Sequence, residues 1–135
     1  MSAAYSGRPQ HAKLALRPGQ RLSLDRAPDG WGLADPPDGL ELVAAPEPAD
    51  VIISFFAAAD ELGARLPELA SRIQPDGALW VAWPRRAGGH SSDITDNVIR
   101  EYALPLGIVD VKVAAIDEDW SGLRLVWRTA NRARA

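Results

Sequence analysis

This chain contains no cysteine and only two histidines among its 135 residues. Without cysteine, disulfide bonds, thiol chemistry and zinc-finger sites are excluded. Two histidines without a thiolate are also too few for the usual transition-metal sites, although carboxylates of the kind that suit magnesium are present. We therefore predict no transition-metal site and assign no metal ligands.

Long apolar runs are missing as well. No segment approaches the ~20 consecutive apolar residues that a membrane span requires. Residues 1–20 contain no apolar core of the length found in signal peptides. The net charge of −3 gives no general attraction to nucleic acid or to an anionic membrane. We therefore expect a cytoplasmic protein that binds neither nucleic acid nor membrane.

The composition is that of one globular domain. Apolar residues make up 47% of the chain and charged residues 24%, which is ordinary for a soluble domain. The sequence has no internal repeat and no linker that would divide it. We predict a single domain over residues 1–135, with flexible tails at residues 1–10 and 129–135.

Six segments have the apolar pattern of β-strands. The clearest covers residues 50–56, where β-branched and aromatic residues follow one another almost without a break. Another begins after the turn signal Pro75-Asp76-Gly77 and ends at Pro84, and its unbroken apolar run is typical of a strand buried in a parallel sheet. The remaining predicted strands are residues 21–25, 40–44, 109–116 and 122–128.

Two segments have helical spacing. Residues 60–73 place Leu62, Leu66, Leu69 and Ile73 on one face. Pro67 predicts either a kink there or two short helices. A second helix follows the polar loop of residues 85–92, and Ser92-Asp93 is expected to cap its N-terminus.

This order of elements predicts an α/β fold of the Rossmann-like type. We expect a three-layer sandwich with a mixed six-stranded sheet of order 2-1-3-4-6-5. The connection over residues 117–121 has room only for a hairpin, so the last strand is predicted to be antiparallel. In open sheets of this type, a ligand binds beyond the carboxyl ends of the strands.

Three segments resemble class I S-adenosylmethionine-dependent methyltransferases. Residues 16–22 (Leu-Arg-Pro-Gly-Gln-Arg-Leu) are similar to the approach to the first strand of that fold, and residues 49–53 (Ala-Asp-Val-Ile-Ile) are similar to its fourth strand. Residues 73–81 (Ile-Gln-Pro-Asp-Gly-Ala-Leu-Trp-Val) resemble its passage from a helix to the fifth strand. The resemblance implies a methyltransferase-like domain with a reversed last strand.

The loop after the first strand departs from the methyltransferase pattern. In that family the first strand ends in an acidic residue, and glycines at every second position then let the backbone approach the cofactor. With Asp25 at the acidic position, the three glycine places fall on Ala27, Asp29 and Trp31. These side chains would occupy the space of the cofactor. We therefore predict that the chain lacks an S-adenosylmethionine loop and binds no cofactor.

Nearly the whole chain after Leu14 also resembles a family of small bacterial proteins that carries no known activity. The shared motifs are a strand end Trp-Val-x-x-Pro-Lys/Arg, a helix start Asp-Ile/Leu-Thr, and the segments Val-Asp-x-Lys-Val and Asp-x-x-Trp-Ser-Gly-Leu. They occur here at residues 80–85, 93–95, 109–113 and 117–123. This resemblance implies a degenerate methyltransferase-like domain and assigns no reaction to it.

The loop after the fourth strand is the best candidate for an anion-binding site. Its two guanidinium groups can pair with an oxyanion, and its glycines allow close backbone approach. The next helix presents free N–H groups at its N-terminus. The alternative is a solvated loop with an ordinary helix cap. The candidate residues are Arg85, Arg86, Gly88, Gly89, Ser91 and Ser92.

Six more residues are candidates for the lining of a pocket at this end of the sheet. Trp31 is expected to close the groove that glycines would otherwise open. His90 is a proton shuttle only if a partner orients it. The acidic segment 117–119 has the groups to bind a cation or act as a base, and a hairpin turn is the structural alternative. The six are Asp25, Trp31, Trp83, His90, Asp117 and Trp120.

These observations favour a non-catalytic binding or interaction module with a methyltransferase-like shell, and no catalytic residue is assigned. The alternative hypothesis is a small enzyme or ligand-binding protein that recognises an anionic metabolite or nucleotide at residues 83–93. A third hypothesis is a homodimer that pairs through an exposed sheet edge or the surface around Trp83.

Overall fold

The computed structural model describes residues 9–85 and 92–128, and these residues form one six-stranded mixed sheet. The order is that of the prediction: the second, first, third and fourth strands run parallel, and the sixth is antiparallel to its neighbours, the fourth and fifth. The Rossmann-like α/β fold is therefore confirmed. The strands are β1 (Arg21–Asp25), β2 (Glu41–Leu42), β3 (Ala49–Phe55), β4 (Ile73–Pro84), β5 (Ile108–Ala115) and β6 (Trp120–Trp127).

The helices of the described residues are α1 (Gln10–Lys13), α2 (Ala59–Arg72), α3 (Asp96–Ala103) and a 3-10 turn (Leu104–Leu106). α2 packs on the sheet through Leu62, Leu66 and Leu69, which are fully buried on one face. The helix runs through Pro67 without ending there, so of the two predicted alternatives the one with two short helices is wrong. Buried leucines on both sides of the proline hold the helix together across it.

Two apolar clusters lie on opposite faces of the sheet. α2 and α3 pack over one face, against Ile52 and Leu79 among others. The other face, which includes Val51 and Trp80, is covered by the chain next to α1 and by residues 27–40. Three layers are therefore present, as predicted. The third layer is mostly irregular chain because the connection from β1 to β2 contains no helix.

The second strand is shorter than predicted. Only Glu41 and Leu42 pair with β1 as strand residues. The N–H of Val43 still donates to the carbonyl oxygen of Leu22, at 2.9 Å, and the chain then turns at residues 45–47. β1 is therefore paired along only part of its outer edge.

The fourth strand is longer than predicted and begins at Ile73. The Pro75-Asp76-Gly77 segment, predicted to be a turn, belongs to this strand and lies where its pairing with β3 is irregular. A β-carbon at Gly77 would lie 2.5 Å from the Asp50 carbonyl oxygen. The turn prediction was wrong because a bulge and a close backbone approach select the same residue types.

Candidate functional site

The candidate site lies at the carboxyl ends of β1, β3 and β4, where the loops that follow these strands meet. β1 ends at Asp25, which is paired with Ser54 of β3. β4 ends at Pro84, which is paired with Trp120 at the start of β6. The hairpin between β5 and β6 therefore reaches this end of the sheet together with the loop after β1.

Asp25 is the acidic residue at the end of β1, and it is only 9% exposed. Arg65 of α2 donates to its carboxylate from Nη2 at 2.6 Å and from Nε at 3.3 Å, and the Ser54 hydroxyl donates at 2.5 Å. Burial alone would raise the pKa of Asp25. The hydrogen bonds from Arg65 and Ser54, together with the charges of Arg65 and Arg72, outweigh burial and lower the pKa below its ordinary value of 3.8. The carboxylate is therefore charged and satisfied by this chain's own donors.

Arg26 covers the end of β1 on the α2 side. Its backbone has a left-handed φ of 59°, uncommon for a residue other than glycine. Nε donates to the Phe55 carbonyl oxygen at 3.1 Å, Nη2 donates to Glu61 at 2.6 Å, and the guanidinium lies 4.9 Å from the centre of the Phe56 ring. Arg26 is absent from the residues selected by sequence. The only signal for Arg26 in the sequence is its position directly after Asp25.

Trp31 packs over the end of β3 on the other face of the sheet. Its ring meets Phe55 edge-on with centroids 4.9 Å apart, and Phe55 meets Trp120 in the same way at 5.0 Å. The indole N–H of Trp31 donates to Asp117 Oδ2 at 2.8 Å. Three of the candidate pocket residues, Trp31, Asp117 and Trp120, therefore meet in one cluster.

Asp117 also holds the hairpin between β5 and β6. Its Oδ1 accepts hydrogen bonds from the N–H groups of Asp119 and Trp120, at 2.8 and 2.9 Å. This is the local bonding of an aspartate at the start of a turn. The observed arrangement is the structural alternative, a hairpin turn, and among residues 9–85 and 92–128 no three His, Asp or Glu side chains are placed to hold a metal ion.

Of the candidate anion-binding residues, the structure describes Arg85 and Ser92. Both line a cavity of about 290 Å³, together with Trp83 and Thr95. Arg85 Nη1 donates to the Asp117 carbonyl oxygen at 3.1 Å, which holds the guanidinium against the hairpin. Anion binding at this cavity stays a prediction. Outside the described residues lie the other anion-binding candidates, Arg86, Gly88, Gly89 and Ser91, and the pocket candidate His90.

Ser92 and Asp93 serve the N-terminus of α2 rather than that of α3. Ser92 Oγ donates to the Ala57 carbonyl oxygen at 2.7 Å, and Asp93 Oδ1 accepts from the first N–H of α2 at 2.8 Å. α3 is capped by Thr95, whose Oγ1 accepts from the Val98 N–H at 3.2 Å. The predicted Ser92-Asp93 cap is wrong because α3 begins later and Thr95 occupies its N-cap position.

The residues beyond β1 do not fit an S-adenosylmethionine loop. A glycine loop leaves room beside the backbone, whereas here Arg26 and Trp31 occupy opposite faces at the ends of β1 and β3. Of the three positions where the family has glycine, Ala27 is half-buried, Asp29 is exposed, and Trp31 packs against Phe55. The strand-end carboxylate of Asp25 is already bound to Arg65.

Two larger cavities lie elsewhere in the described part of the chain. One of about 640 Å³ is at the opposite end of the sheet, beside Arg72 and Trp127. The other, of about 530 Å³, lies between β1 and the irregular segment that follows it. Within the same residues, none of the helices has the length and apolarity needed to cross a membrane.

Solved methyltransferase structures share this fold, whereas no protein-family model and no curated protein matches the sequence. Magnesium protoporphyrin IX methyltransferase from Synechocystis PCC 6803, solved with bound SAM, is 11% identical and aligns with a TM-score of 0.56 over 88% of this chain and 74% of its own. Ribosomal protein L11 methylase from Lactobacillus delbrueckii subsp. bulgaricus gives 11% identity and a TM-score of 0.58 over 88% and 75%.

An O-methyltransferase from neocarzinostatin biosynthesis, in complex with S-adenosyl-L-homocysteine, is 13% identical with a TM-score of 0.51 over 66% of this chain and 34% of its own. The resemblance to class I methyltransferases is therefore confirmed for the fold. At these sequence identities, the similarity shows a shared fold and nothing about function.

Proposed function

We propose that this domain uses the methyltransferase fold as a scaffold for a non-catalytic binding or interaction role, without S-adenosylmethionine. The observation that carries the proposal is the closure of the β1 end by this chain's own side chains. Arg26 bonds to Phe55 and Glu61 there, and Trp31 bonds to Asp117. These contacts stand where the fold otherwise leaves room for a cofactor loop.

The energetic cost of opening this end supports the proposal. A cofactor group that bonded to Asp25 would have to displace Arg65, and because the Arg65 side chain is 28% exposed, losing this pair costs about 2–3 kcal/mol. The tryptophan cluster would be disturbed as well. Each 1.4 kcal/mol weakens binding about tenfold, so a cost of this size lowers affinity by a factor of about 30 to 140.

The chemistry of Asp25 points the same way. A general base works best when its pKa lies near the working pH. The pKa of Asp25 is lowered by its bonds to Arg65 and Ser54, against the effect of burial. A carboxylate held in this way is a weak proton acceptor and serves better as a structural anchor for α2 and β1.

Isothermal titration calorimetry with S-adenosylmethionine and S-adenosylhomocysteine tests the proposal. We expect no binding heat from either compound at concentrations up to about 1 mM, the range of weak metabolite binding. The matched variant combines Arg26→Gly with Trp31→Gly, which removes both side chains that close the end of β1. Circular dichroism checks that this variant folds. Binding of either compound by the unchanged protein with 1:1 stoichiometry and a micromolar Kd would count decisively against the proposed role.

A second candidate is recognition of an anionic metabolite or nucleotide near Arg85. The cavity of about 290 Å³ that Arg85 and Ser92 line is the observation in its favour. Its volume falls just below the range of about 300–1,000 Å³ typical of ligand sites. Arg85 is also partly engaged by the hairpin, which makes this candidate the weaker of the two.

A further inference from the structure

A groove with an apolar floor lies under the chain that connects β1 to β2. It has a volume of about 530 Å³, within the range of about 300–1,000 Å³ seen for ligand sites. Leu22 and Leu24 of β1 and Leu42 of β2 form its floor, and its walls include Trp31 and Leu40. We call it the β1 groove. It exists because the connection contains no crossover helix to cover this face of the sheet.

The β1 groove borders a stretch of unpaired backbone. Leu22 and Leu24 point their N–H and C=O groups toward β2, because alternate residues of a strand face the same neighbour. The Leu22 carbonyl accepts from Val43, but no described residue bonds to the backbone of Leu24 on that side. Backbone groups of this kind readily pair with an added extended segment. Leu42, which pairs with Leu22 two residues earlier in β1, is 68% exposed.

The chain around the β1 groove is acidic, and Asp38 lines the groove itself. Residues 27–50 contain no lysine, arginine or histidine. From outside this segment, Arg21 faces Glu47 and Glu41, and His11 lies 3.1 Å from Asp35. Asp29 and Asp38 are exposed and form no ion pair with any described residue. The acids of this segment are Asp29, Asp35, Asp38, Glu41, Glu47 and Asp50.

We propose that the β1 groove binds an extended segment of a partner protein in which apolar residues alternate with lysine or arginine. The segment pairs with the backbone of Leu24, places one apolar side chain in the cavity and sets its basic residues beside Asp29 and Asp38. The apolar floor selects the apolar side chain, the unpaired backbone of Leu24 selects an extended segment, and the acidic residues select the lysine or arginine residues. This inference rests on the proposed function, since it names the partner that an interaction module would take.

Nuclear magnetic resonance titration of the ¹⁵N-labelled full chain tests the inference. The probe is the heptapeptide Lys-Val-Lys-Leu-Lys-Val-Lys. We expect saturable shifts of the amide signals of Leu24 and Leu42, and slower hydrogen exchange at the Leu24 amide once it is paired. The acidic peptide Glu-Val-Glu-Leu-Glu-Val-Glu has the same apolar residues and should bind at least about tenfold more weakly because of the acidic residues around the groove. Proline in place of the central leucine removes a backbone donor and should weaken binding about tenfold.

Two variants and one control locate the site. Leu42→Lys removes an exposed apolar contact and adds a repelling charge, so it should reduce binding of the basic peptide at least about tenfold. Gly32→Phe should also reduce it, since a side chain there enters open space at the groove. Val113→Lys is the control, because Val113 is 55% exposed on β5, at the other edge of the sheet.

Equal binding of both charged peptides, or shifts confined to β5, would overturn the inference. So would shifts of the groove amides that depend on protein concentration without peptide, because they would identify a second copy of this chain as the occupant. Failure here is separable from failure of the proposed function. The peptide result concerns the β1 groove alone, whereas the calorimetric result with S-adenosylmethionine concerns the end of β1.

Discussion

Replacing Arg65 by alanine tests whether the pair with Asp25 holds the end of β1 closed. Asp25 is 9% exposed, and the variant leaves its carboxylate with the Ser54 hydroxyl as the remaining close side-chain donor. Removing one partner of a fully buried pair costs about 3–5 kcal/mol. Because the Arg65 side chain is 28% exposed and partly screened by water, we expect a loss of about 2–3 kcal/mol.

Urea denaturation at pH 7 measures this loss. With a slope of about 1.5 kcal/mol per molar urea for a domain of this size, the midpoint should fall by about 1.3–2 M without a change in slope. The matched control is Glu61→Gln. It breaks the pair with Arg26, whose side chains are 42% and 53% exposed, so its loss should stay below about 1 kcal/mol.

The loss should also depend on pH. The pKa of Asp25 in the folded protein lies below 3.8, and in the unfolded chain it is about 3.9. A lowered folded pKa means that the pair stabilises the fold above about pH 4 and loses this contribution as the pH falls through the folded pKa. The difference between wild type and Arg65→Ala should therefore be largest near pH 7 and shrink as the pH falls below about 4. A loss under about 0.5 kcal/mol, or one that is the same at every pH, would refute the reasoning.

Three further predictions concern single positions. Gly77→Ala should cost about 2–4 kcal/mol in urea denaturation, because the added β-carbon would lie 2.5 Å from a backbone oxygen of β3. Gly32→Ala is the control: it has open space around it and should change stability by less than about 1 kcal/mol. Equal effects of the two substitutions would contradict the packing described. Trp31→Phe keeps a ring but removes the indole donor to Asp117, so thermal unfolding should show a loss of about 1–2 kcal/mol, and an unchanged midpoint would mean that the bond contributes nothing. If the cavity beside Arg85 binds anions, ATP or phosphate should raise the melting temperature of the wild type but not of Arg85→Ala, and no shift in either would count against the second candidate.

The strand order was accessible from the sequence because its signals are local and strong. The apolar runs of β3 and β4 indicate strands buried on both faces, and the few residues between β5 and β6 leave room only for a hairpin. Predictions from local sequence were wrong where two different kinds of local structure use the same residue types. Pro75-Asp76-Gly77 lies at a bulge rather than in a turn, and Asp93 accepts from the first N–H of α2, a helix that comes earlier in the chain.

The contacts of the candidate site were less accessible, because they join residues that are far apart in the chain. Trp31 and Asp117 were both selected, but they are 86 residues apart, and nothing in either neighbourhood predicts their hydrogen bond. Arg26 was missed because its role depends on a left-handed backbone and on Phe55 and Glu61, which follow it by 29 and 35 residues. The β1 groove likewise depends on where the irregular segment lies over the sheet.

The most direct test of the central claim is the indole N–H signal of Trp31, followed by nuclear magnetic resonance during titration with S-adenosylmethionine. The signal is assigned by its loss in Trp31→Phe. We predict that it stays unchanged and slow to exchange at millimolar cofactor, because the indole remains bonded to Asp117 and the end of β1 remains closed. A saturable shift of this signal, together with loss of its protection from exchange, would show that the cofactor opens this end and would contradict the account.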